Sequence, residues 1–536
     1  MSLNLFLIQL VLFTCIFMLF QASRLPRGWL VVIGVLLSIL GGSYLYLPNR
    51  AGWISGLFWG LLLLLPLTGI ASINRLVSKE KYGQASRIAW FIRWLHPTDG
   101  FWEYPVLLWA MELGQKGQLT DARELLGRYQ DRATAVGRAA MAFGYRLEAR
   151  WDELLAWTQT LPWAQTDAFE KRLFQESSLA SLYLRSLGET GDLNGLLRAV
   201  NQFEQQSSKT GNTATFSLVR LYALAFCGYV ESLQVLLNGP LSLYPESTRQ
   251  FWRLTAELVT ESVPEKGLGN AQIIRDQLLA LRDRSPLPQQ RAIDWRLSHP
   301  CPNPDQELLD FGKQLLFQID AAVWQDAQYS HGKVGHGKMG YGSAIAPEKN
   351  LATQTLIGIN SFVFALEVVS GGSQDLEVLY RLGALVPQDV WAGEWWRVFN
   401  AIFLHAGIVH LLANMLGLYV FGKRVESVLG IRKFLLGYFT CGIGSMLTVT
   451  ILAILTQAPV QVTVGASGAI MGLVGIEMAI LLKSWHRDKG KYARDRLRLI
   501  LMVTGLQIIS DLLTPQVSVI GHFSGLTLGL LIGSIL

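Results

Sequence analysis

Nine runs of apolar residues, each close to the length needed to cross a bilayer, constrain this chain more than any other feature. A hydrocarbon layer takes about 20 helical residues to span. The runs lie at roughly 3–20, 29–47, 52–73, 353–370, 403–421, 433–455, 467–483, 498–513 and 517–535. Composition agrees: 51% of the 536 residues are hydrophobic and only 16% charged, against about 25% charged in a soluble domain. Mean hydropathy is +0.30. The chain is too long for one ordinary domain. It reads as a multi-pass membrane protein with a soluble part.

The first run lacks a basic leading region and a small-residue cleavage site, so it is expected to be a retained helix. The short Pro48-Asn-Arg50 link makes the second and third runs a hairpin. Cys15, Cys227, Cys301 and Cys441 lie far apart without any C-x-x-C spacing, which argues against a disulfide framework or structural zinc. The net charge of +6 is modest. No basic patch interleaved with aromatics points to nucleic acid; basic residues here mark cytoplasmic loops.

From about 78 to 330 charges appear throughout, and apolar residues recur at helical spacing. One pattern returns: helix, a turn holding Gly117, Gly191 or Gly228, then helix. A less clear copy around Arg150, Trp151 and Leu155 fills the gap between the first two. This region resembles degenerate tetratricopeptide-type repeats, whose period is about 34 residues. Stacked helical hairpins present a surface suited to a protein or peptide, so a cytoplasmic partner is expected there. Residues 331–350 follow as a Gly-rich linker. His331 and His336 within it have no acidic or cysteine neighbours, and neither a metal nor a cofactor is expected. The expected organisation is all-α: three transmembrane helices in 1–77, the helical-repeat domain in 78–330, the linker, and six membrane helices in 351–536.

Charge orients these spans. Lys423, Arg424, Arg432 and Lys433 follow the second C-terminal run. Lys483, Arg487, Lys489, Lys491, Arg494, Arg496 and Arg498 follow the fourth. The connections 456–466 and 514–516 carry no basic residue. The basic loops are therefore cytoplasmic. The runs that begin near Ser467 and His522 both start outside, which sets these two residues at similar depth. Arg24, Arg27, Arg75, Lys79 and Lys81 give the first block an outside N-terminus and put the repeats in the cytoplasm. The expected location is a bacterial-type plasma membrane.

A serine and a histidine at membrane depth are costly unless they have a use. Gly465-Ala-Ser467-Gly468 opens one run, and His522 lies near the start of another. Gly468 and Gly472 are four apart, as are Gly525, Gly529 and Gly533; small residues at this spacing let membrane helices approach closely. Ser467 needs a base to attack a carbonyl, and neutral imidazole is the usual one. A serine at a helix N-terminus also has free N–H groups beside it for a developing oxyanion. Position 469 is Ala, so the G-x-S-x-G elbow of soluble hydrolases is not matched. His410 and Asn414, at i and i+4, share a helix face and both donate hydrogen bonds. Two such donors aimed at one point hold an oxyanion; polar links between helices are the plainer reading. Glu477, ten residues beyond Ser467, is expected to be protonated or paired inside the bundle.

Together these motifs resemble the rhomboid intramembrane serine proteases. The matching features are Trp396-Arg397 in the long first loop, His405-x4-His410-x3-Asn414, Glu426 before Gly430, Gly465-Ala-Ser467-Gly468, and His522-x2-Gly525-x3-Gly529. The resemblance covers about 353–536 and implies a six-helix rhomboid core. It implies Ser467 as nucleophile and His522 as general base, a dyad without an acidic third member. It implies an oxyanion hole from His410, Asn414 and the Ser467 N–H. Trp396 and Arg397 would belong to a loop in the outer leaflet, with His405 and Glu426 structural. Gly521 and Ser524 depart from residues common in the family, but both are small. The expected activity is cleavage of membrane-anchored proteins near the outer face of the bilayer. The alternative is a silent rhomboid-like protein that binds membrane clients. A transporter is disfavoured because no repeat runs across the nine spans.

Overall fold

A computed structural model describes residues 3–20, 27–95, 101–129, 131, 133–166, 169–207, 213–261, 268–299, 302–330, 350–488, 491–513 and 518–536. Among these the chain is all helical, with one isolated antiparallel bridge between Leu385 and Thr463. The Gly-rich stretch with His331 and His336, and Cys301, lie outside the described residues. Cys15, Cys227 and Cys441 are buried and form no disulfide.

Leu3–Phe20, Arg27–Tyr46, Pro48–Ser78, Leu351–Val369 and Ile408–Leu455 are long and apolar enough to cross a membrane. The 48-residue Ile408–Leu455 stretch holds two of the expected runs. Gly430 breaks it at φ 76°, ψ 164°, a conformation that suits a residue without Cβ. Ser467–Asp488, Lys491–Leu513 and Val519–Ile535 complete the helices of the C-terminal third. The protein is an integral, multi-pass membrane protein.

The chain divides into two compact units, Met1–Phe20 with Leu36–Gly56 and Gln328–Leu536, and Gln21–Val35 with Leu57–Ala327. In the first unit, the Asn4 side chain donates to the Pro48 carbonyl (3.0 Å) and accepts from the Gly52 N–H (2.8 Å). This pins the first helix to the Pro48-Asn-Arg50 turn.

The centre of that unit is a glycine interlock. The helices Ser467–Asp488 and Val519–Ile535 touch backbone to backbone. A Cβ added at Gly525 would strike the Gly468 carbonyl, and one at Gly529 the Gly472 carbonyl. On their other side, Gly468 and Gly472 receive Ser445 and Cys441 of the helix Lys423–Leu455. Lipid tails are as apolar as side chains, so helix association in a membrane depends on this kind of close packing.

The second unit is built from helical hairpins. Gly117, Gly191 and Gly228 take left-handed φ values of 82°, 88° and 77°. In each turn the following N–H reaches back five residues: Gln118 to Leu113 (2.9 Å), Asp192 to Leu187 (2.9 Å), Tyr229 to Leu224 (3.0 Å). These are helix C-caps of the Schellman type. The less clear copy has the same cap, with Ala149 at φ 56° and Arg150 bonded to Tyr145 (3.0 Å). A fifth turn is not marked by glycine at all: Glu80 is at φ 54° and Lys81 bonds to Leu76 (2.9 Å). The first hairpin therefore uses the end of Pro48–Ser78 as its leading helix. Successive hairpins nest where a small residue three before the turn admits a large one from the next. Leu147 packs on Gly114 (2.5 Å from a Cβ placed there), and the Phe226 ring lies on Gly188.

A Cβ at Gly117 meets open space, so Gly117→Ala carries only the left-handed backbone penalty, about 1–2 kcal/mol. Gly525→Ala must push apart two backbones as well. Denaturant titration of the purified protein is expected to show the larger loss for Gly525→Ala.

Candidate active site

The segment before Ser467 is held as a short extended piece. Leu385 and Thr463 exchange N–H···O bonds of 3.0 and 2.9 Å, and the Gly465 N–H donates to the Ala401 carbonyl at 2.8 Å. Ser467 is then the first residue of its helix and is half-buried. Gly465 is at φ 126°, where a side chain is strained. There is also no room for one: a Cβ would lie 2.8 Å from His410 Nε2 and 3.4 Å from Asn414 Nδ2. The glycine thus lets the His410/Asn414 face close over the backbone leading to Ser467.

His410 and Asn414 lie on one helix, Ile408–Gly417, as their spacing predicts. Asn414 Nδ2 is buried and has no hydrogen-bond partner within the protein, an arrangement that suits an oxygen supplied from outside the chain. The His410 ring stands edge-on to His405, with centroids 5.3 Å apart. His405 is fully buried; its ring Nδ1 lies 3.0 Å from the Phe403 carbonyl. Its backbone N–H donates to Glu367 Oε1 at 2.9 Å. Glu367, fully buried at the end of Leu351–Val369, escaped the sequence reading; an acid in an apolar run was its only signal.

His522 lies in the first turn of Val519–Ile535, where the Ser518 Oγ caps the Gly521 N–H at 3.1 Å. His522 and Ser467 are not hydrogen-bonded to each other. The packing of Gly525 on Gly468 brings their helices into contact one residue after the serine and three after the histidine. The histidine has a partner that sequence reasoning missed. His522 Nδ1 is 2.6 Å from Asp511 Oδ2 on Lys491–Leu513, and Asp511 is buried. The family resemblance implies no acidic third residue, and a carboxylate lies beside this imidazole in the structure.

The other named residues hold the frame. Arg397, buried under the first loop, binds Glu394 Oε2 (2.6 Å) and the carbonyls of Tyr380 (2.7 Å) and Ala384 (3.1 Å). Its guanidinium lies over the rings of Tyr380 and Trp396 at 4.2 and 4.8 Å. Trp396 itself is 41% exposed and packs against Gly383. Glu426 caps Leu351–Val369, accepting from the N–H groups of Ala352 (2.9 Å) and Thr353 (2.8 Å) and from the Thr353 hydroxyl (2.6 Å). Glu477 is paired, with Arg496 at 3.0 Å and Arg424 at 3.4 Å. At helical rise it lies about 15 Å from Ser467 and takes no part in the site.

Replacing Arg397 by Ala removes a charged donor from two buried carbonyls. The expected cost is about 2–3 kcal/mol. Arg397→Lys recovers only part, because an ammonium cannot reproduce the planar fork. Thermal unfolding midpoints of the two variants and the parent check the ranking.

Residues 392–536 match the model of the Rhomboid domain. Over 132 residues the chain is 35% identical to Rhomboid protease GluP of Bacillus subtilis (strain 168), covering 25% of this chain and 25% of that protein. It is 33% identical over 141 residues to Putative rhomboid protease YdcA of the same organism, covering 26% of this chain and 66% of the relative. RHOMBOID-like protein 1 of Arabidopsis thaliana is 36% identical over 156 residues, 29% of this chain and 38% of that protein. The chain spans half or less of the length of several plant relatives it matches, 50%, 38% and 49%. No solved structure matches it. The close-packed serine and histidine helices, the His410/Asn414 face and Arg397 all fall within the matched stretch, and residues 392–536 of this chain are a Rhomboid domain.

Proposed function

We propose that this protein is an intramembrane serine endopeptidase that cuts membrane-anchored proteins near the outer face of the bilayer. One observation carries the reading: the buried, unpartnered Asn414 Nδ2 and the His410 ring converge on Gly465, two residues before Ser467 at its helix N-terminus. In this reading Ser467 Oγ attacks the scissile carbonyl while His522 takes its proton. The carbonyl electron pair moves to oxygen, which receives hydrogen bonds from His410, Asn414 and the Ser467 N–H. His522 then gives the proton to the departing amine as the oxyanion collapses and the C–N bond breaks. Water, giving its proton to His522, next attacks the Ser467 ester, and His522 returns that proton to Ser467 Oγ as the acid product leaves. No cofactor enters.

The charge bias of the loops supports an outward-facing site and a cytoplasmic repeat region. The helical hairpins of 78–330 are then a surface for a partner or a substrate's cytoplasmic tail.

A fluorophosphonate probe is expected to label the purified protein and a transmembrane reporter to be cleaved, with Ser467→Ala abolishing both. Asn414→Ala should retain folding while lowering cleavage by roughly 10²-fold, the usual effect of losing one oxyanion donor. Equal labelling of the parent and Ser467→Ala would leave the client-binding alternative standing. Reporters with and without a cytoplasmic tail test the hairpin surface: equal cleavage rates remove that role.

A further inference from the structure

The site contains a buried acid that the two-residue mechanism does not use. Asp511 sits on the helix Lys491–Leu513, and its Oδ2 is 2.6 Å from His522 Nδ1. Both side chains are nearly sealed from the surface, with 1% of the carboxylate and 11% of the imidazole exposed. The second carboxylate oxygen is occupied: Gln507 Nε2 donates to Oδ1 at 2.8 Å, from one turn earlier on the same helix. The neighbouring Ser510 hydroxyl donates to Gln9 Oε1 at 3.4 Å, on the first helix of the chain. A carboxylate held from one side by Gln507 has one oxygen left, and it points at the histidine.

We propose that Asp511 is a positioning residue that makes the Ser467–His522 pair a triad; the inference rests on the function proposed above. The carboxylate accepts the Nδ1–H of His522. That bond fixes the tautomer in which Nε2 is unprotonated and free to take the Ser467 proton. When Nε2 receives it, Nδ1 keeps its own proton, and Asp511 stabilises the resulting imidazolium without itself being protonated. Gln507 holds the carboxylate in place.

The test uses the full chain in detergent. Asp511→Asn can donate from its amide to Nδ1 and so favours the opposite, unproductive tautomer. Its kcat and its fluorophosphonate labelling rate are expected to fall by roughly 10²–10⁴-fold, with KM within about threefold of the parent and an unchanged thermal midpoint. Asp511→Glu, which keeps an acceptor, should restore part of the rate. The inference is overturned if Asp511→Asn reacts at the parent rate, or if both variants lose activity only in step with their stability. Nitrogen-15 spectra of the histidine rings in the parent protein give an answer independent of variant folding: a Ser467-sensitive ring protonated at Nδ1 supports the triad, and one protonated at Nε2 overturns it. Failure of the underlying reading looks different, because the parent itself would then resist the probe.

A separate observation concerns the first hairpin. The helix Tyr82–Leu95 folds back along the end of Pro48–Ser78, and Ile92 lies 2.5 Å from where a Cβ of Gly69 would sit. Gly69 is about 14 Å inside the end of the membrane helix, and the apolar run continues past it to Ile73. Trp90, Phe91 and Trp94, which are 47%, 66% and 59% exposed, therefore stand level with Ala71, Ile70 and Leu67 of the span itself, inside its apolar run. Arg93 among them lies over the rings of Trp90, Trp94 and Trp102 at 5.0, 5.5 and 4.7 Å. Aromatic rings sheathing a cation suit the headgroup layer, where one end of a side chain is apolar and the other wet.

We infer that the tip of this hairpin is immersed in the lipid leaflet from which Pro48–Ser78 emerges. The bilayer is the occupant of its aromatic face, because the span fixes the depth. A nitroxide at Phe91→Cys in the reconstituted full chain should collide with oxygen rather than an aqueous nickel chelate, at a ratio several-fold above that of Glu124→Cys on an exposed helix. Equal ratios at the two positions overturn the inference.

Discussion

Two pairs of glycines, Gly468 with Gly525 and Gly472 with Gly529, hold the membrane domain in the form its site requires. Each carbonyl of the serine helix lies where the partner glycine would otherwise carry a side chain. Within a bilayer no hydrophobic gain drives helices together, so the approach depends on packing that only a missing Cβ permits. Ser467 and His522 inherit their proximity from that approach. The same glycines offer their opposite side to Cys441 and Ser445, which ties a third helix into the contact.

Around this interlock the buried acids and the buried donors are treated differently. Glu426 caps a helix, Glu477 faces two arginines, Glu367 accepts a backbone N–H, and Asp511 is shared between His522 and Gln507. Each carboxylate has a donor, as the cost of burying charge in hydrocarbon demands. The Asn414 amide next to Gly465 has none. What sets the Asn414 donor apart from other unpartnered buried atoms, such as Glu367 Oε2 and Glu477 Oε2, is its place beside Gly465 and the His410 ring, where the proposed hydrolysis needs a donor.

The second unit repeats one device, a left-handed residue closing a helix, at Glu80, Gly117, Ala149, Gly191 and Gly228. Three of the five were legible because glycine is the usual residue there. The turn at Ala149 shows in the sequence only as the less clear copy around Arg150, and the one at Glu80 not at all: each accepts a conformation that costs an L-residue about 1–2 kcal/mol, in place of the glycine that marks the others. The hairpin at Glu80 is also where the membrane span and the repeat region share a helix.

Sequence by itself determined the apolar spans and the two-helix turns marked by glycine, and it singled out Ser467, His522, His410 and Asn414 as candidates, because these depend on run length, residue type and local spacing. It also gave the i, i+4 relation of His410 to Asn414, which any helix enforces. Tertiary structure decided what faces what. Asp511 and His522 are eleven residues apart, on different helices. In the sequence the acid reads only as a polar residue near the end of an apolar run. Arg397 reads as a loop residue until the chain folds back to bring it the carbonyls of Tyr380 and Ala384. Spacing along a chain reports one helix face at a time, whereas the pairing of an acid with an imidazole depends on the rotation and depth of two separate helices. Those are set only when the glycine contacts close.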